Sequence, residues 1–489
     1  MIVYGNTFGV IRRGRRPRRP EKNRKFVQNS VNERMQSYVF ATQIFYVFRT
    51  AREVGPYNRI KSMFVFTPVN SHLFFHESAW DSNKKTTKTE RMIMKEIYLD
   101  NSATTPLCAQ AAEKMTLVMT ETYGNPSSLH KMGLLAEKTV KEAREAVLNA
   151  LCPPKTGIRP KPDQLIFTAS GTEANNLAMI GMMTAKARNK GKKIIVGETE
   201  HPSVIETAKH LEALGYQAVY IPSPNGVWDM EAYRKALDKD TVLVCAMLVN
   251  NETGAVNDIA AISKAAKAVS PDILVHCDAV QGFLKIAQSP LPHADSVSVS
   301  AHKIGGPKGV GALYVSEKIL KTKALAPVIF GGGQENGYRS GTENVIGIAG
   351  FGAAAKNGAA HLSETLSNFS ALRTYLTEQA SSVLGDAVRI NEPLSAKKAA
   401  HIISMTVPGY RSETLLHSLS AYGVYVSSGS ACASNTGHSS YVLRSFGLSD
   451  SDTDSTLRIS LGAQNTKEDI DVFISALKES IAKLARMKR

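Results

Sequence analysis

From Met94 onward, short apolar runs alternate with longer stretches in which apolar residues recur every third or fourth position. Short runs bounded by turn formers predict strands, and the longer period predicts amphipathic helices. The predicted strands are Gln164–Thr168, Lys193–Gly197, Ala218–Ile221, Thr241–Val249, Ile273–Cys277, Ser296–Ser300 and Ala312–Val315. Helical stretches such as Glu173–Arg188 and Ser203–Leu214 lie between them. This alternation predicts an α/β fold with a largely parallel sheet, whose ligands gather at the carboxyl ends of strands. Beyond about residue 360 the pattern becomes a long helix near Ser363–Leu384, then mixed short elements, then a terminal helix at Thr466–Met487. That change predicts a second, smaller α+β domain.

Residues 1–93 have no sustained period. They hold 14 of the 34 aromatic residues, and their 18 Lys and Arg against 6 Asp and Glu supply +12 of the net +16. The remainder is close to balance, so the basic signal belongs to this leader alone. An Arg-rich targeting peptide is one reading of it, although the segment is long and aromatic for that. A nucleic-acid-binding arm is another, weakened by the lack of any binding motif. The preferred expectation is that 1–93 is a disordered leader or a start placed too early, because Met94 runs directly into the strand-like Ile97-Tyr98-Leu99. No apolar run approaches the roughly 20 residues of a membrane-spanning helix. The five cysteines show no metal-ligand or disulfide spacing, which fits a reducing, cytoplasmic setting and no metal site.

Three segments carry candidate chemistry at predicted strand ends. The strand Ser296–Ser300 runs into His302 and Lys303 and then a glycine-rich turn. A lysine in a partly desolvated pocket has its ammonium pKa lowered, as covalent carbonyl chemistry requires. The strand ending at Cys277 delivers Asp278, with Gln281 just beyond. A buried aspartate there caps the next helix or, with Lys303, keeps the ring nitrogen of pyridoxal 5'-phosphate (PLP) protonated. Gln281 can donate to the cofactor's phenolic oxygen. Ser170-Gly171-Thr172-Glu173 joins a strand to a helix start, where free N–H groups cradle phosphate or Thr172 simply caps. His201 follows the strand Lys193–Gly197 and could stack on a flat ring, and Asn250–Gly254 follows Thr241–Val249.

Taken in order, these segments resemble the cysteine desulfurase family of fold-type-I, aspartate aminotransferase-like PLP enzymes. The resemblance runs from Ile97 to the terminal helix. It also includes Tyr98–Pro106, Tyr123–His130, Arg339-Ser340-Gly341-Thr342 and Ser427-Ser428-Gly429-Ser430-Ala431-Cys432. Ala301 departs from the glycine of many relatives by one methyl group. The resemblance implies that Lys303 holds PLP covalently, Asp278 meets its ring nitrogen, Gln281 its phenolic oxygen, and His201 its ring face. Gly171, Thr172, Ser300 and His302 would hold the phosphate, joined by Thr342 from a second copy, so a homodimer is expected. Asn251 and Arg458 would hold the substrate carboxylate. Cys432, in a small and polar stretch, would take sulfur from L-cysteine as a persulfide, leaving L-alanine. The long loop resembles the group that serves iron–sulfur scaffolds and tRNA-thiolating enzymes. Cys108, Cys152, Cys245 and Cys277 lie in apolar or strand contexts and are expected to be inert. The expected domains are 113–362 for the large one and 94–112 with 363–489 for the small one. An aminotransferase or a selenocysteine lyase of the same fold is the alternative.

Overall fold

The structure is a computed structural model that describes residues 95–185, 191–394, 397–429 and 440–487. The leader 1–93 and Cys432 both lie outside the described residues. Among those described, a seven-stranded sheet has the order β2-β8-β7-β6-β5-β3-β4. Its strands are β2 (Leu165–Thr168), β3 (Lys193–Gly197), β4 (Gln217–Ile221), β5 (Thr241–Cys245), β6 (Leu274–Asp278), β7 (Ser296–Ser300) and β8 (Gly311–Val315). Pairs β3–β4, β3–β5, β5–β6 and β6–β7 are parallel, while β8 runs against both β2 and β7. The strands β2, β3, β5, β6 and β7 therefore share one direction, and their carboxyl ends share one edge.

Period-2 side-chain alternation builds a core on each face of this sheet. Ile195, Val244, Val275 and Val297 join one core, and Ile194, Val196, Leu243 and Leu274 join the other. Both faces are apolar because helices cover both, which is why the strands read as near-continuous hydrophobic runs. A separate core gathers Ile97 and Leu99 with Phe369, Leu376, Ile403, Leu457, Ile459 and Phe473. It packs around a four-stranded sheet, β12-β13-β10-β9, formed by Ser427–Ser428, Thr456–Ser460, Ile402–Thr406 and Arg389–Ile390. The strand β1 (Ile97–Tyr98) pairs in parallel with β11 (Val424–Tyr425), which brings the start of the described chain to the elements near its end.

The structure changes several expected boundaries. The fourth predicted strand stops at Cys245 rather than Val249, since Ala246 N and Leu248 N donate to His276 O and Asp278 O outside the regular ladder. The segment stays buried, so its apolar residues look like strand although it bends beneath the site. The first helix after β2 is Gly171–Thr184, and the expected end at Arg188 falls outside the described residues. The long helix ends as Leu362–Gln379 followed by a π turn at Ala380–Leu384.

One buried ion pair joins the helix Lys131–Leu151 to this framework. Arg144 grips Glu335 with two parallel bonds, Nη1 to Oε2 at 2.8 Å and Nη2 to Oε1 at 2.7 Å. Glu335 also accepts from Phe167 N at 2.9 Å, so both partners are tied to β2. Arg144→Met leaves a buried carboxylate without its cation, a change that costs about 3–5 kcal/mol. Urea denaturation is expected to show a midpoint lowered accordingly. An unchanged midpoint would mean that the pair contributes nothing to stability.

Candidate active site

The shared strand edge positions most of the expected site residues. Asp278 ends β6 and is 6% exposed; Oδ2 accepts from Asn175 Nδ2 at 2.7 Å and Oδ1 from Val280 N at 2.9 Å. It caps the turn that follows and not a helix. Three residues on, Gln281 gives Nε2 to Ser102 O at 2.8 Å, and its Oε1 is buried with no partner. Ser300, at the end of β7, likewise has a buried Oγ with no partner. The chain then makes a tight turn through Ala301–Lys303. Lys303 Nζ donates to Ser102 O at 2.6 Å and Ala103 O at 2.8 Å. His302 Nδ1 meets Thr104 Oγ1 at 3.2 Å, and burial, then the cations Lys303, Lys308 and Lys285, push its pKa down to about 4. It is therefore a neutral ring at neutral pH.

The turn after β2 differs from expectation in one respect. Ser170, and not Thr172, caps the helix, its Oγ accepting from Glu173 N at 3.1 Å. Thr172 is exposed and available to a ligand at that helix start. Gly171 is required by space: a Cβ there would lie 2.7 Å from Val280 Cγ2. His201 caps the helix Pro202–Ala213, with Nδ1 accepting from Ser203 N at 3.1 Å. Burial lowers its pKa; Asp278 opposes the shift and Lys303 reinforces it.

Arg458, on β13, is 4% exposed and donates Nη2 to Asp100 Oδ1 at 2.8 Å and Nη1 to Asn251 O at 3.3 Å. Its Nε is buried without a partner. The structure joins Arg458 to the backbone of Asn251, with Asp100 as a second anchor. Ser427 pairs directly with Arg458 in the sheet. The chain leaves the described residues after Gly429 and re-enters at Ser440, whose Oγ donates to Glu252 Oε2 at 2.6 Å. Burial pushes the Glu252 pKa up to about 7 against Ser440 and Arg458. Both ends of the segment carrying Cys432 are therefore anchored at Arg458 and the Asn251-Glu252 turn. Thr342 is not brought into this cluster. It is exposed, beside a cavity of about 140 Å³ lined by Phe167, Gly309 and Arg339.

Sequence reasoning missed three buried residues here. Asn175, two residues past the Ser170–Glu173 segment, bonds Asp278, His276 and Ser203. Glu200 is fully buried, its Oε1 accepting from Met247 N at 2.6 Å, and burial raises its pKa well above the usual range. Lys285 is 5% exposed, and burial, with Lys303 and Arg458, pushes its pKa down to about 7. A lysine inside the apolar run Gly282–Ile286 was the available signal. Lys285 and Lys303 line a cavity of about 950 Å³ together with Thr105, Cys108 and Gln464. Of the other thiols, Cys152, Cys245 and Cys277 are buried, and burial raises their pKa values, that of Cys152 to about 12. Cys108 is only half-buried, at the start of the helix Ala109–Glu121, and not in a purely apolar setting. Among the described residues no cluster could hold a metal ion, and no helix is long and apolar enough to cross a membrane.

Residues 97–473 match the family model described as aminotransferase class-V. The cysteine desulfurase IscS of Dictyoglomus turgidum is 38% identical over 393 residues, covering 80% of this chain and 95% of that one. A solved NifS-like protein, 34% identical, superposes with a TM-score of 0.72 over 79% of this chain and 99% of its own. SspA, solved in complex with cysteine, is 30% identical with a TM-score of 0.63, over 76% of this chain and 100% of its own. The architecture is that of a fold-type-I PLP enzyme: a mainly parallel sheet clad in helices, with polar groups converging at its carboxyl edge. The chain belongs to the class-V aminotransferase family, in its cysteine desulfurase branch.

Enzymes of this family depend on PLP, and the residues present fit that group. The buried Ser300 Oγ lacks a partner that a polar ligand would supply, since orphaned buried polar atoms are rare in native proteins. Thr172 is exposed in the first turn of the helix Gly171–Thr184, where free backbone N–H groups suit a phosphate.

Proposed function

We propose that the chain converts L-cysteine to L-alanine and receives the sulfur on Cys432. The observation that carries this reading is the convergence of Lys303, Asp278 and His201 on one edge, with the ends of the Cys432 segment anchored at Arg458 and Glu252. Lys303 would hold PLP covalently, Asp278 its ring nitrogen, Gln281 its phenolic oxygen and His201 its ring face. Gly171, Thr172, Ser300, His302 and the partner subunit's Thr342 would hold the phosphate in a homodimer. When bound, PLP supplies an electron sink for negative charge developing at the substrate carbon.

The chain's own groups then have separate tasks. Arg458 orients the substrate carboxylate with its unpartnered Nε, assisted by Asn251. Lys303 Nζ would take the proton from the substrate Cα. The Cys432 thiolate attacks the substrate sulfur; the new S–S bond forms as the carbon–sulfur bond breaks, and the carbon gains a proton. The balance is one thiol plus cysteine giving one persulfide plus alanine. The persulfide then passes to an acceptor protein, of the iron–sulfur scaffold or tRNA-thiolating class. The core of Ile97, Leu99 and residues beyond 363 supports a small domain of 94–112 with 363–489, set against the sheet domain 113–362. The described cysteines, all free thiols, suit a cytoplasmic setting.

The reading is tested with a chain begun at Met94, because the family match starts at residue 97. With L-cysteine and a reductant it is expected to give alanine and sulfide in equal amounts, at the rate of the full chain. Loss of the amino group to give mercaptopyruvate, with neither alanine nor sulfide, would return the aminotransferase alternative. A rate that collapses on removing 1–93 would make the leader part of the working enzyme.

A further inference from the structure

Beneath the site, one chain of hydrogen bonds runs across four elements. Asn175, 1% exposed, gives Nδ2 to Asp278 Oδ2 at 2.7 Å and to Ser203 Oγ at 2.8 Å. Its Oδ1 meets His276 Nε2 at 3.0 Å and accepts from Ser298 Oγ. His276 Nδ1 meets Ser296 Oγ at 2.9 Å. Ser203 Oγ lies 2.8 Å from His201 Nδ1, which also accepts from Ser203 N at 3.1 Å.

Donor bookkeeping fixes the direction of every link. An ionised carboxylate only accepts, so the Asn175 group facing Asp278 must be the amide nitrogen, and Oδ1 must face His276. His276 therefore donates from Nε2 and accepts at Nδ1 from Ser296. Both Asn175 protons are spent, on Asp278 and Ser203, so Ser203 accepts from Asn175 and has its own hydroxyl proton for His201. His201 Nδ1 then accepts from both the hydroxyl and the backbone N–H of Ser203. A neutral ring with an occupied acceptor at Nδ1 carries its proton on Nε2. Burial keeps both rings neutral, lowering the pKa of His201 and pushing that of His276 down to about 4.

We propose that Asn175 and Ser203 are positioning residues that hold His201 as the Nε2–H tautomer while the same Asn175 amide orients Asp278. The proposal rests on the reading of His201 and Asp278 as the cofactor's ring contacts. In consequence His201 acts only through Nε2, as a donor toward the ring or substrate. Protonation at Nδ1 would cost the imidazole the bond from the Ser203 N–H and would reverse the one with Ser203 Oγ. One amide thus ties the group behind the ring nitrogen to the group on the ring face, through residues far apart in sequence.

Nitrogen-15 chemical shifts of the full-length holoenzyme, labelled at histidine, test this directly. The His201 signals are assigned by their loss in His201→Gln. The expected result is an unprotonated Nδ1 and a protonated Nε2 at neutral pH; a protonated Nδ1 overturns the proposal. Kinetics give a second arm. Ser203→Ala is expected to lower kcat about fivefold to tenfold, the scale of one hydrogen bond, with KM for cysteine little changed. Ser203→Thr, which keeps the hydroxyl, is expected to recover kcat. An unchanged kcat in Ser203→Ala, or equal losses in the alanine and threonine variants, also overturns it. The cofactor reading fails separately, if PLP is not attached to Lys303, and the tautomer measurement does not depend on that outcome.

Discussion

Cys432→Ser is expected to keep PLP and still bind L-cysteine, yet to form alanine and sulfide slower by on the order of 10³-fold or more, the scale of losing a catalytic nucleophile. In the proposed reading binding rests on Lys303, Asp278 and Arg458, which the substitution leaves in place. Sulfur removal depends on a thiolate, and a serine hydroxyl does not ionise near neutral pH. Of the remaining thiols, Cys152, Cys245 and Cys277 are buried and held protonated, so they offer no substitute. The visible spectrum should change when cysteine is added to the variant, while product assays stay near background. Wild-type turnover by the serine variant would remove Cys432 from the chemistry.

Lys303→Ala is expected to abolish the covalent link to PLP and reduce turnover by about 10²–10⁴-fold, the range for losing a general acid–base group. Lys303 sits just past β7, bonded to two carbonyl oxygens on Ser102 and Ala103. Lys285 is the informative control, because it lines the same cavity, is buried, and has its pKa pushed down to about 7. Borohydride reduction followed by peptide mapping should place the cofactor on Lys303 in the wild type and on no lysine in the variant. Attachment to Lys285 or Lys308 would show that the wrong lysine has been assigned.

The sheet was legible because buried parallel strands make dense apolar runs, and β3 and β7 matched residue for residue. The run after β5 was misread because burial, and not strand geometry, set its composition. Hydrophobicity does not separate a strand from an irregular buried segment. The helix after β2 was expected over Glu173–Arg188 and runs over Gly171–Thr184, and its cap was assigned to Thr172. The Ser170-x-x-Glu173 spacing was the clue, since a serine followed three residues later by glutamate marks a helix start. Strand-end residues such as Asp278 and Lys303 could be picked out one at a time, each next to a local turn. The Asn175 network could not, because Asn175 and Asp278 are 103 residues apart and meet only when β6 lies beside the helix Gly171–Thr184. Lys285 and Glu200 were hidden for a related reason: nothing in a local window says that a charged residue will be buried.

Mass analysis of the wild-type chain after a single turnover with L-cysteine, without reductant, tests the central claim most directly. The predicted result is one added sulfur on the peptide carrying Cys432, reversed by reductant, with alanine formed in equal amount. Sulfur on Cys108 or any other cysteine, or alanine formed with no sulfur on the chain, would contradict the account.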